Sequence, residues 1–213
     1  MTEGGLREGA IPTERRYGGR TADERRAERR SRLLEAGHEL FGTRGYAAST
    51  IEAVCAEASL NARYFYEQFR HREELLHAVY TRQAHRVLDA VRNEMAGESD
   101  PARRLEAALR AFVQAMLLDE RGMRIVYLEA VGVSATLEEE RRRVGEAYVQ
   151  VLSREASRLP RLATVGAQER RAIVIALMGA TDGLVCDWLA SEQRPPASSI
   201  VERLLAIFGP ILA

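Results

Sequence analysis

Ser49-Thr50-Ile51-Glu52-Ala53-Val54-Cys55-Ala56-Glu57-Ala58-Ser59-Leu60-Asn61-Ala62-Arg63-Tyr64-Phe65-Tyr66-Glu67-Gln68-Phe69-Arg70-His71-Arg72 is the stretch on which the fold turns. It spells two short helices joined by a tight turn. Ser49 with Glu52 three residues on forms a capping box, which predicts the first start. Ile51, Val54 and Cys55 give that helix an apolar face. Ser59 and Leu60 make the turn, and Asn61 caps the second helix. Phe65 and Phe69 point inward, which leaves Ala62, Arg63 and Tyr64 at the outer tip. A short helix that projects an arginine and two tyrosines from its first turns is shaped to enter a groove of DNA.

Toward the N-terminus, residues 1–22 are rich in Gly, Arg, Glu and Thr and predict a disordered basic arm. Arg15 to Arg32 hold eight arginines against three acids. That excess reads either as a solvated helix start or as a contact with phosphate. A helix over about Ala22–Thr43 follows, with Leu33, Leu34, Gly37, Leu40 and Phe41 as its apolar stripe. Gly42 and Gly45 end it. Toward the C-terminus, a long helix over about Arg72–Met95 starts at His71 or a neighbour. Glu73 and Glu74 suit its first turn, and Leu76, Val79, Val87 and Val91 lie on one side. Further helices are predicted at Ala102–Leu118, Glu120–Val131, Leu137–Leu159, Gln168–Gln193 and Ser198–Leu212. Breaks are expected at Gly97–Pro101, Gly122, Gly132–Ser134, Pro160–Gly166 and Pro195–Pro196. The fold class is all-α: a helix-turn-helix head over residues 23–71 and a larger helical body over 72–213.

Composition narrows the class. The chain has 213 residues, 46% hydrophobic and 29% charged, with zero net charge, so charge placement matters more than its total. All 31 basic residues are arginine. Cys55 and Cys186 lie far apart in apolar helical patterns and match neither a disulfide framework nor a zinc spacing. The start lacks a signal-peptide run. The stretches Ala172–Ala180 and Leu204–Ala213 read as too short for a bilayer, so a cytoplasmic location without a membrane is expected.

The set Leu40-Phe41, Gly45-Tyr46, Ser49-Thr50, Ser59-Leu60-Asn61, Phe65-Tyr66, Phe69 and Arg72-Glu73-Glu74-Leu75 resembles the TetR family of transcriptional regulators. The resemblance covers about residues 25–80. Leu128-Glu129-Ala130-Val131 and Gly179-Ala180-Thr181-Asp182-Gly183-Leu184 are similar to the family less decisively. Two positions depart from its pattern. Ser59 stands where the turn usually has Gly, and a left-handed backbone there would cost roughly 1 kcal/mol. Arg72 stands for the usual Lys and can still reach a phosphate.

The chemistry of the head nominates DNA contacts. Arg63 is the best base reader, since a guanidinium can bond bidentately to guanine O6 and N7. Tyr64 and Ala62 can lie against a thymine methyl. Asn61, Thr50 and Tyr66 are phosphate candidates. Arg44, His71 and Arg72 flank the same face. Each also has a plain structural reading, as cap, packing residue or free surface group.

The body shows no Gly-rich phosphate loop, no nucleophile elbow and no metal-spaced histidines, so no enzyme activity, cofactor or metal is expected. The run Glu138-Glu139-Glu140-Arg141-Arg142-Arg143 predicts a solvated helix face. The resemblance implies a small-molecule pocket, for which Phe112, Met116, Met123, Tyr127, Tyr148, Met178, Thr181, Asp182 and Trp188 are candidates. It also implies a homodimer through the last two helices, whose broad apolar faces want a partner. Two heads about 34–36 Å apart would then meet a near-palindromic operator. The expected function is a ligand-responsive homodimeric DNA-binding regulator, a repressor. The alternative is a helical small-molecule binding protein or enzyme whose head does not bind DNA.

Overall fold

The computed structural model describes residues 21–212, and every described element is helical. The arm expected over residues 1–22 therefore lies outside the described residues up to position 20, as do Arg15, Arg16 and Arg20. The head contains α1 (Ala22–Thr43), α2 (Ile51–Glu57) and α3 (Ala62–Tyr66). The body follows as α4 (Arg72–Ala96), α5 (Pro101–Leu117), α6 (Glu120–Arg124), a π segment (Ile125–Glu129), α7 (Ala135–Ala156), α8 (Pro160–Ala163), α9 (Ala167–Ala190) and α10 (Ala197–Leu212).

Caps set most of the boundaries. Thr21 and Glu24 satisfy each other's backbone N–H groups at the start of α1. Asn61 accepts from the Tyr64 N–H at 3.3 Å to start α3, and His71 Nδ1 accepts from the Glu74 N–H at 3.2 Å to start α4. At α2 the cap is Thr50, whose hydroxyl accepts from the Ala53 N–H at 3.2 Å. Ser49 was the expected cap. It is fully buried instead and donates its hydroxyl to the Gly45 carbonyl at 2.7 Å. A buried hydroxyl needs its partner inside the fold, which leaves the cap to the exposed Thr50.

The α2–α3 turn places Ser59 at φ +50°, the left-handed region that favours glycine. Arg32 supports it: its Nη2 donates to the Ala58 carbonyl at 2.5 Å and to the Ser59 carbonyl at 3.0 Å. A charged donor thus satisfies the carbonyls of the C-cap and of the turn residue after it, which the helix itself leaves unpaired.

The head core joins Leu33, Leu40, Phe41, Val54, Phe65 and Phe69 to Leu75, Leu76 and Val79 of α4. Farther along the same helix, Val87, Leu88, Val91 and Met95 enter the body core with Val113, Met116, Tyr148, Val185 and Leu204. One 25-residue helix therefore belongs to both cores.

Three expectations in the body are corrected. The stretch Glu120–Val131 is not one α-helix broken at Gly122. Gly122 is buried inside α6, where any Cβ would overlap the Gln83 side chain, so its role is close approach. The chain then widens into the π segment, closed by an Ala130 N–H to Ile125 carbonyl bond at 3.0 Å. Residues 160–163 form the short helix α8, started by Pro160 at a first helical position. Finally, α9 runs unbroken for 24 residues, and its most apolar 18-residue window has a mean hydropathy of 1.6, so it is long and apolar enough to cross a membrane. The apolar stretch Ala172–Ala180, too short for a bilayer by itself, is only the middle of this longer helix. Val174, Thr181, Val185 and Trp188 are packed in the body, as in a packing helix with its other faces open.

Replacing Ser59 by Gly removes the left-handed strain and leaves the Arg32 bonds to the carbonyls in place. The variant is expected to gain about 1 kcal/mol, measured by urea unfolding. A loss of stability would show that the serine side chain supports the turn.

Candidate functional site

Two sites emerge, one at the tip of the head and one inside the body. At the tip, α3 is anchored by buried Phe65, with Phe69 buried just beyond its end. That anchoring drives the opposite side outward. The Arg63 side chain is 84% exposed, held loosely by Glu67 at 3.2 Å. Tyr66 is 59% exposed, and Ala62 and Asn61 are also on the surface. Tyr64 is half-buried beneath the Arg29 guanidinium, 4.7 Å from its ring. Glu67 also stands 3.8 Å from Arg29, so α1 braces the recognition helix through charge as well as packing.

The flanking candidates divide. Thr50 and His71 are exposed caps whose side-chain acceptors are used by their helices. Arg44 is exposed just after α1. Arg72 is largely committed to the head itself. Its guanidinium stacks 4.2 Å from the Tyr46 ring and donates to the Ser49 carbonyl, and at 3.4 Å to the Ala47 carbonyl. It pins the loop before α2, a role its spacing in the sequence could not reveal.

The body holds a cavity of about 180 Å³ between α4, α5, the π segment, α7 and α9. Of the nominated ligand contacts, Phe112, Met116, Tyr127, Tyr148, Met178, Thr181 and Asp182 line it. Met123 and Trp188 do not, and both assignments are corrected. Met123 is fully buried in the packed core. Trp188 donates its Nε1–H to the Pro195 carbonyl at 2.8 Å, with Arg194 over its ring, which ties the α9–α10 connection.

Several lining residues escaped the sequence reading, Tyr80, Val87 and Val91 of α4 and Arg141 of α7 among them. Arg141 also corrects the expectation of a wholly solvated run at 138–143. It is partly buried and donates to the Val126 carbonyl at 2.6 Å, while neighbouring Glu140 is only 7% exposed. The signal was present: Leu137, Arg141, Val144 and Tyr148 recur at i, i+4, i+7 and i+11, a single inward stripe.

The polar end of the cavity has unusual electrostatics. The Tyr127 hydroxyl donates to the Asp182 carboxylate at 2.6 Å. Burial, together with Asp182, pushes the Tyr127 hydroxyl well above its ordinary pKa. Asp182 is exposed on one side, and partial desolvation raises its carboxyl as well, against the lowering effects of the Tyr127 bond and Arg141. Tyr80 is pushed up to about 12, first by burial. These hydroxyls therefore stay protonated as donors at neutral pH.

A second polar knot ties head to body. Asp119 accepts from Arg86 of α4 at 2.5 Å and from the Gly122 N–H at 2.9 Å, and lies 3.0 Å from His38 of α1. Burial alone would raise its pKa, but these partners outweigh it and hold the carboxyl well below the usual range. Among the described residues, no cluster of His, Cys, Asp or Glu could hold a metal ion, and Cys55 and Cys186 are both free thiols.

Comparison with known proteins places these features. Residues 33–79 match the family described as bacterial regulatory proteins, tetR family. The chain is 27% identical over 181 residues to the HTH-type transcriptional activator FasR of Mycolicibacterium smegmatis, covering 83% of this chain and 80% of that protein. Its fold is similar to the fatty acid degradation regulator FadR of Bacillus halodurans (17% identity, TM-score 0.73, 84% of this chain and 93% of that one). It is also similar to the FadR regulator of Bacillus subtilis in complex with stearoyl-CoA (13% identity, TM-score 0.72, 83% of this chain and 96% of that one).

Arg63→Ala is expected to weaken binding to the preferred operator by about 1–3 kcal/mol and to relax one base position, read by selection from a random DNA pool. An equal loss on all sequences would make Arg63 a phosphate contact. Asp182→Asn keeps an acceptor for Tyr127 and removes the charge. Because the folded carboxyl titrates above its unfolded value, its cost is absent at low pH and grows as pH rises. The variant should unfold at a higher temperature than the parent at pH 7, with the gain gone by about pH 4.

Proposed function

The chain belongs to the TetR family of bacterial regulatory proteins, and from that premise we propose a homodimeric regulator whose DNA binding responds to an acyl thioester. The chain is a DNA-binding transcriptional regulator and not an enzyme. The observation that carries the effector is the cavity: apolar side chains of α4, α5, α7 and α9 around one polar end made by Tyr127, Arg141 and Asp182. The apolar lining suits an acyl chain, and the donors suit its oxygen-bearing end. Stearoyl-CoA is bound by the similarly folded FadR of Bacillus subtilis, which supports this class of ligand.

The dimer reading rests on α9 and α10. Ala172, Ile175, Ala176, Gly179, Gly183 and Cys186 form an exposed stripe down α9, with open space around both glycines. Small residues let a second helix approach closely, and exposed Ile207 and Ile211 of α10 extend the apolar surface. An isologous pairing of these helices buries both faces at once. The twin heads then meet successive major grooves of a near-palindromic operator in the cytoplasm, with Arg63, Tyr64 and Ala62 at base edges and Asn61, Thr50, Tyr66, Arg44, His71 and the arginines of α1 near phosphates. Residues 23–71 make the reading head, and 72–213 hold ligand and partner. Repression remains our expectation for the sign, although the relative FasR is named an activator; ligand-linked DNA release serves either sign.

The test combines selection of bound sequences from random DNA with sedimentation and titration of stearoyl-CoA. A symmetrical motif, a dimer mass and a fall in operator affinity on adding stearoyl-CoA are expected. A monomer that binds an asymmetric site, or a dimer indifferent to acyl thioesters, would overturn the corresponding part.

A further inference from the structure

We propose that the π segment Ile125–Glu129 is the lever that reports cavity occupancy to the DNA-binding head, and that Arg141 is the residue through which an oxygen-bearing ligand head works it. The ligand part rests on the effector reading above; the lever part stands on the geometry of the chain alone.

The segment is held at both ends by different parts of the molecule. On the cavity side, the Val126 carbonyl accepts from Arg141 of α7 at 2.6 Å, and the Tyr127 hydroxyl donates to Asp182 of α9 at 2.6 Å. On the head side, Glu129 accepts from the Tyr46 N–H at 2.7 Å and from its neighbour Arg124 at 3.0 Å. The fit there is close. Gly45 has φ +88°, and a Cβ on it would stand 3.1 Å from the Glu129 carboxylate. Tyr46 in turn packs edge-on against Phe41 and lies under Arg72, which holds the Ser49 carbonyl just ahead of the α2 cap. An unbroken set of contacts therefore runs from the cavity to the start of the helix-turn-helix.

The π turn makes this set switchable. Its hydrogen bond spans five residues instead of the four of an α-helix, and such single-turn bulges inside helices are frequent at functional sites. Returning the segment to α geometry would rotate Glu129 by about 100° around the axis, the angle of one residue, and take it off Tyr46. The two arrangements differ in discrete hydrogen bonds, which is what a two-state coupling element needs.

Arg141 is placed to choose between them. It lines the cavity, and its Nε is buried without a hydrogen-bond partner, with the Glu138 carboxylate 3.5 Å away. A guanidinium with an unspent donor in an apolar cavity attracts an acceptor. A carboxylate or thioester carbonyl arriving there competes with the Val126 carbonyl for the same cation. As Arg141 turns to the ligand, the segment loses the bond that fixes its first turn.

The experiment uses the full chain, its selected operator, stearoyl-CoA as probe, stearate as a second probe and coenzyme A as control. Direct probe binding and operator affinity are measured separately, and coupling is the ratio of operator Kd with and without saturating probe. Arg141→Met should bind stearoyl-CoA about tenfold more weakly than the parent. Glu129→Ala should bind probe and free operator within about threefold of the parent, while its coupling falls by about tenfold or more. Response to stearate as well assigns the recognised group to a carboxylate or carbonyl oxygen in general; response to stearoyl-CoA alone assigns it to the thioester. Unchanged probe affinity in Arg141→Met, or full coupling in Glu129→Ala, overturns the proposal. Hydrogen exchange without any ligand separates this from the effector reading. Tyr127→Phe should speed exchange of the Tyr46 amide, and Tyr148→Phe, on the same cavity but off the segment, should not. If stearoyl-CoA fails to bind the parent, the effector reading falls. The lever then stands or falls on the Tyr46 amide alone.

Discussion

The burial of α4 in two cores at once constrains everything else in this protein. Its first turns complete the head through Leu75, Leu76 and Val79, and its later turns complete the body through Val87, Leu88 and Val91. Each fully buried aliphatic side chain is worth roughly 1.5–3 kcal/mol, so neither core can let the helix go. The head is therefore positioned by the body. Any change in how the body packs around its cavity, which α4 also lines through Tyr80, Val87 and Val91, acts on the helix that carries the head.

Polar contacts refine that mechanical link. Asp119 joins α1 to α4 and the start of α6 through His38 and Arg86, and Glu129 joins the π segment to the Gly45-Tyr46 corner. Both carboxylates sit where apolar packing is interrupted by glycine, at Gly122 and Gly45. At Gly45 the close approach lets the Glu129 carboxylate accept from the Tyr46 N–H across the junction, while Asp119 caps the Gly122 N–H of its own helix and meets the His38 and Arg86 side chains across it. Such bonds have defined lengths and partners, so they can be made or broken as a unit, which broad hydrophobic contact cannot. The junction between head and body therefore adds defined polar bonds to the apolar contacts that α4, Ile125 and Leu137 make with the head core.

The head could be read from local signals because its chemistry is local. Caps, an inward Phe65 and Phe69, and an outward Arg63 all follow from short-range spacing and helix geometry. The shift of the cap from Ser49 to Thr50 was not readable, since both residues make good caps and only the tertiary contact with Gly45 selects one. The arginine at 72 likewise looked like a surface group until the Tyr46 ring and the Ser49 carbonyl came to meet it.

What this sequence settled by itself is the class: helices from periodicity and a helix-turn-helix from the 49–72 stretch. Those conclusions need only neighbours within a few turns of chain. The tertiary structure alone decided which polar residues converge. Tyr127 and Asp182 are 55 residues apart in sequence and share one hydrogen bond, and Arg141 left an apparently solvated charge run to line a cavity. It also decided that Met123 and Trp188 pack elsewhere, and that residues 125–129 widen into a π turn. The reason is physical: helical periodicity says which face turns inward, but what that face meets depends on crossing angles and close approaches set by distant side chains.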